Sequence, residues 1–186
     1  MKRRIRNAAW TLLLVACVVL AGCGGGKVKV ATIAPKSSMA KYTTVAITVA
    51  NDAGPACPQD VAPNLQGAAI SQLLAKFPNA FQEVRPAPTG GEGEMLVEVH
   101  IVKYKKGSRF ARAMLIGLGS SKLTTTLKFL DSVTKEQLAT GQLNLTWAMG
   151  GIVGASKGIE DLVNDAGKKI ANVIVEQKQG KPSQPK

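Results

Sequence analysis

Histidine and cysteine are almost missing from this chain of 186 residues, which carries one His (His100) and three Cys, at positions 17, 23 and 57. So few soft ligands exclude a zinc site of the usual kind, and no metal or other cofactor is expected. There is no Cys-x-x-Cys pair, so dithiol redox chemistry is excluded as well. Aromatic residues are only 4% of the sequence, and the core is therefore expected to be aliphatic. Acidic residues number 12 against 24 Lys and Arg, a net charge of +12. Such an excess points towards polyanionic surroundings. Long apolar runs are also lacking. The stretch Ala8–Leu20 is too short to cross a bilayer, which takes roughly 20 apolar residues.

What is present at the N-terminus has an order of its own. Met1–Arg6 is basic, Ala8–Leu20 is apolar, and Leu20-Ala21-Gly22-Cys23 follows. That order is the pattern of a secretory signal. The last four residues resemble the lipobox of bacterial lipoproteins. The small residues let a peptidase draw in the backbone, and the thiol accepts diacylglycerol. The resemblance implies cleavage before Cys23 and acylation of Cys23, an anchor to which each buried methylene adds about 0.8 kcal/mol. Gly24, rather than Asp, implies the periplasmic face of the outer membrane, with the inner membrane as the alternative. Loss of residues 1–22 leaves 164 residues and, since Lys2, Arg3, Arg4 and Arg6 leave with them, a charge of +8. Anionic lipid and cell-wall polymer then become the polyanions within reach, and nucleic acid is not expected. Cys57 is left as the sole unmodified thiol, which is buried, free or paired with another molecule.

The mature chain reads as one domain. Residues 23–41 form the anchor and a Gly-, Lys- and Ser-rich tether, 42–176 a single α/β domain, and 177–186 a disordered tail. Tyr42–Val49 is a β-branched run and predicts a strand. Asp60 and Pro63 suit the start of a helix that ends before Pro78. Met95–Val102, Leu123–Phe129 and Gln142–Trp147 alternate with period two and predict three strands. Ile159, Leu162, Val163, Ala166, Ile170 and Val173 recur at helical spacing. The order β-α-β-β-β-α predicts a two-layer sandwich, a four-stranded mixed sheet with both helices on one face. The first and second strands should be parallel. Glu98, His100, Thr124, Thr126, Lys128, Asn144 and Thr146 should share the open face.

From Lys103 to Val175 the chain resembles a family of bacterial lipoproteins known as domain of unknown function 4410. The resemblance rests on Tyr104, Gly107, Arg109 and Arg112, on Gly117-Leu118-Gly119-Ser120, and on Asp131, Thr140-Gly141, Gly150-Gly151 and the closing Ala-rich helix. Members often show Asp-x-x-Thr-Gly at the turn, where this chain has Lys135. The resemblance implies a lipoprotein domain and supplies no catalytic residues.

Gly154-Ala155-Ser156-Lys157-Gly158 fits the Gly-x-Ser-x-Gly elbow of hydrolases. A triad of that order needs a His after the Ser, and His100 precedes it. Ser156 is instead expected to cap the last helix. Ser38-Met39-Ala40-Lys41 lacks its companion motifs, and Gly117-Leu118-Gly119 lacks the Gly-Lys-Ser/Thr of a phosphate loop. The topology brings 107–121 and 148–156, both apolar and glycine-rich, to one edge, beside the basic run Lys103, Lys105, Lys106, Arg109 and Arg112. Arg109, Arg112, Gly117, Gly119, Gly150 and Gly151 are the candidate contacts. The tether is expected to enter at the opposite end, favouring a periplasmic protein or a second copy over the anchoring membrane. The sequence thus reads as a lipid-anchored binding or assembly module without catalytic activity. An enzyme acting on cell-wall polymer or lipid, and a carrier of a small ligand or lipid, are the alternatives.

Overall fold

A computed structural model describes residues 27–32, 39–108, 110–111, 119–147 and 158–180. Its elements are β1 (Lys27–Thr32), β2 (Thr44–Asn51), α1 (Val61–Lys76), β3 (Glu83–Arg85), β4 (Glu94–Lys105), β5 (Ser121–Asp131), β6 (Gln137–Trp147) and α2 (Ile159–Lys178). They form an α/β fold with a mixed sheet and two helices. The sheet order is β1-β6-β5-β4-β2-β3, which is six strands rather than the four expected. The two additions are edge strands. β3 is three residues long and pairs parallel with β2, too short to leave a period in the sequence. β1 lies within the segment read as tether and pairs antiparallel with β6, Lys27 opposite Asn144 and Thr32 opposite Ala139. Its Lys-Val-Lys-Val alternation is a strand period hidden by tether-like composition.

β2 runs parallel to β4, as the crossover through α1 requires. β4, β5 and β6 follow one another antiparallel. One sheet face is covered by the helices. Val45, Ile47, Val97, Val99, Leu123, Leu127, Phe129, Leu143 and Leu145 meet Leu65, Ala69 and Leu73 of α1 and Leu162, Ala166, Ile170 and Ile174 of α2 in a single core. The domain exceeds its expected bounds at both ends. Met39 is fully buried ahead of residue 42, and α2 continues through buried Gln177 to Lys178. Polar termini hid this, because a lysine buries its stem while its head finds partners. Lys178 Nζ donates to the Tyr42 carbonyl at 2.7 Å and lies 4.3 Å from the Phe81 ring centre.

Both helix starts differ from expectation. Asp60 occupies the N-cap position of α1 with helical backbone angles, so its side chain makes no cap bond and accepts from Asn64 Nδ2 instead. α2 begins after Gly158, whose N–H donates to Asp161 Oδ2 at 2.7 Å. Ser156, expected as the cap, lies outside the described residues.

Candidate binding surface

A single irregularity in β4 determines which side chains reach the end of the open sheet face. The register between β4 and β5 shifts between Ile101 and Lys103, leaving Val102 without a partner and 41% exposed. Such a bulge reverses the alternation beyond it. Before it, Glu98 and His100 stand opposite Lys128 and Thr126 on the open face. After it, Lys103 and Lys105 take that face opposite Thr124 and Lys122, while Tyr104 pairs with Leu123 and packs against the core. Of the expected open-face residues, all seven share this side: Thr124 and Thr126 stand opposite Asn144 and Gln142, and Lys122 opposite Thr146.

β4 ends, β5 begins and β6 ends at one edge, with Lys105 opposite Lys122 and Ser121 opposite Trp147. The loop between β4 and β5 is closed at its base, where Ser108 N–H donates to the Gly119 carbonyl at 2.9 Å and the Ser121 hydroxyl donates to the Lys106 carbonyl. Gly119 holds φ +69°, a conformation that favours glycine. Beyond this closure Phe110 is 76% exposed. Lys103, Lys105 and Lys106 are exposed beside it. Of the other candidate contacts, Arg109, Arg112, Gly117, Gly150 and Gly151 lie outside the described residues, as does Cys23.

The N-terminal ends of α1 and α2 flank the same edge. Between them runs a groove of about 910 Å³ whose lining includes Asp60, Tyr104, Lys106, Ile159 and Glu160. Burial pushes the Tyr104 hydroxyl up from its ordinary value, with the charges of Cys57, Glu160 and Asp60 adding to it. Cys57 is a free, buried thiol, and burial, with the charge of Asp60 adding to it, pushes its pKa up. His100 lies on the opposite, open side, with Nδ1 2.8 Å from Asp52 Oδ2. Among the described residues no cluster of three metal-ligating side chains occurs, and no helix is long and apolar enough to cross a membrane.

β1 begins at this edge too, since Lys27 pairs with Asn144 near the end of β6. With the strand containing Tyr42–Val49 as the first, the tether is expected at the opposite end, at Tyr42. The added edge strand reverses that expectation.

The family model described as Domain of unknown function (DUF4410) matches residues 39–178, extending the resemblance of 103–175 back through β2 and α1. Among curated proteins, none matches the sequence. Among solved structures, the PelC dodecamer of Paraburkholderia phytofirmans is 12% identical, with a TM-score of 0.54 over 81% of this chain and 97% of that one. A substituted form of it in another crystal form is 11% identical, with a TM-score of 0.53 and the same coverage. Lipoprotein GNA1162 of Neisseria meningitidis is 11% identical, with a TM-score of 0.41 over 72% of this chain and 99% of that one. At these identities the two PelC structures establish a shared fold.

Proposed function

The chain belongs to the family described as Domain of unknown function (DUF4410), and on that premise we propose that it is a lipid-anchored module at the periplasmic face of the outer membrane that binds or assembles rather than catalyses. The observation that carries the reading is that β4 ends, β5 begins and β6 ends at one edge of the sheet, where Ser121 pairs with Trp147, so that the segments 107–121 and 148–156 both belong to that edge. Both are glycine-rich and apolar in sequence. Exposed apolar surface bounded by polar side chains commonly marks an interface, and Phe110 at this edge is such a residue. The lipobox Leu20–Cys23 supports the anchor and Gly24 the outer membrane. The contacts assigned are Gly119 together with Arg109, Arg112, Gly117, Gly150 and Gly151. Self-association is the form of assembly to test first, because the fold is shared with a protein solved as a dodecamer.

The test is the mass of the purified, acylated chain in detergent, with Gly119→Arg and Gly151→Arg alongside. An oligomer is expected for the wild type and smaller species for the two variants, provided circular dichroism shows them folded. A wild-type monomer at every concentration, together with variants that retain every cross-linked envelope partner, would overturn the reading.

A further inference from the structure

We infer that the edge bearing the end of β4 and the start of β1 faces the anchoring leaflet, with the lysines of the open sheet face set against anionic phospholipid headgroups. This rests on the lipid anchor proposed above. It follows from where the chain enters the sheet. Lys27 is the first residue of β1 and lies opposite Asn144. Only Gly24, Gly25 and Gly26 separate it from Cys23, and four steps of an extended chain span at most about 3.6 Å each, so the acylated residue lies within about 14 Å of Lys27. An 18-residue tether would have given the domain roughly 25 Å of freedom and no fixed orientation. Pairing of β1 with β6 removes most of that length.

Charge agrees with the geometry. The bulge at Val102 turns Lys103 and Lys105 onto the open face, where Lys122 stands opposite Lys105. Lys106 follows and is exposed as well. A basic group of this size beside an acylated residue is the arrangement that anionic headgroups attract, and the attraction fades within a Debye length. The acidic groups of the helix layer at this edge are Asp60, Glu160 and Asp161, and Asp161 is engaged by the Gly158 N–H; on the sheet side Asp52, just past the end of β2, and Glu98 stand against His100, and Lys103, Lys105, Lys106 and Lys122 outnumber them. The sheet layer is therefore the side that meets the lipid. The opposite edge, with the β5–β6 turn and exposed Val133, points away from the membrane.

The experiment uses the full acylated chain in vesicles of phosphatidylethanolamine and phosphatidylglycerol that contain a headgroup-attached quencher. A fluorophore is placed through Lys105→Cys in one sample and Val133→Cys in another, with buried Cys57 left in place. Quenching at 105 is expected to exceed that at 133 several-fold. Reversal of charge by Lys103→Glu with Lys122→Glu should bring the ratio towards unity. Equal quenching at the two positions, or the reverse order, in a protein whose mass shows acylated Cys23 overturns the orientation alone. A mass without acyl chains removes the anchor, and this inference with it.

Discussion

Lys135 holds φ +59° in the turn between β5 and β6, the one described residue other than glycine with positive φ. That backbone favours glycine, and here the turn holds it with a lysine. Around it Asp131 organises the backbone: Oδ1 accepts from Val133 and Thr134 N–H at 3.0 and 2.9 Å, and Oδ2 accepts from the Tyr42 hydroxyl at 2.8 Å. Left-handed backbone costs an L-residue about 1–2 kcal/mol. Glycine gives back about 0.5–1 kcal/mol through its freer unfolded chain. Lys135→Gly is thus expected to stabilise the domain by about 0.5–1 kcal/mol, read as a higher urea midpoint; an unchanged or lower midpoint would contradict this. The Thr134 N–H, with the Tyr42 hydroxyl and Val133 N–H, holds Asp131 down to about 2 from an ordinary 3.8. Its folded value is depressed, so its contribution is complete above the unfolded value and is lost as pH falls through about 2. The shift corresponds to about 2 kcal/mol. Asp131→Asn should cost about that much at neutral pH, and the gap to wild type should close between pH 4 and pH 2 in a series of urea midpoints. Glu94 is a second buried anchor. Burial alone would raise its pKa, but the Ser132 hydroxyl and the Gly90 and Thr89 N–H groups hold it below the usual range. Neither carboxylate was distinguishable in the sequence from a surface acid: Val133, Thr134, Thr89 and Gly90 are near neighbours, but the Tyr42 hydroxyl on Asp131 and the Ser132 hydroxyl on Glu94 come from distant parts of the chain.

The helices meet where Gly167 of α2 faces α1. A Cβ at Gly167 would lie 2.7 Å from Ala68 Cβ and 2.9 Å from the Ala68 and Ala69 backbone. Gly67, on the exposed side of α1, has open space around it. Alanine in a helix gains about 1 kcal/mol over glycine, whereas overpacking costs about 1–3 kcal/mol, and here backbone must move. Gly167→Ala is therefore expected to lower stability and Gly67→Ala to raise it by up to about 1 kcal/mol, both compared by thermal unfolding. Opposite signs are the result to look for, and two stabilising substitutions would show that the helices do not pack this closely. α2 was legible because its apolar residues recur with one clear helical period, and β4, β5 and β6 because they alternate. α1 was placed by Pro63 and Pro78 and by Leu65, Ala69 and Leu73 on one face. β1 carried an alternation that its Gly- and Lys-rich surroundings masked. The bulge at Val102 left no mark, since Val102 continues the alternation of the predicted strand, which stops there, and the register shift lies between Ile101 and Lys103.

At the scale of the molecule, connectivity and pairing determine different things. The convergence of the β4–β5 and β6–α2 connections on one edge follows from consecutive antiparallel strands, so it could be read from the order of elements. Where the N-terminal strand enters relative to that edge could not, because it depends on a strand pairing with the far end of the chain. β1 joins β6, more than 100 residues away, and thereby starts at the edge that holds Lys103 and Lys105 rather than at the edge that holds the β5–β6 turn. By itself the sequence determined the mixed α/β class, the two helices and the polar and apolar sides of the central strands, all of which follow from local order and short periods. Only the tertiary structure decided the six-stranded sheet, the reversal at Val102, the hydrogen bonds from Tyr42 to Asp131 and from Ser132 to Glu94, and the edge at which β1 enters. Each of these depends on hydrogen-bond pairing or packing between residues far apart in the chain, which no local pattern encodes.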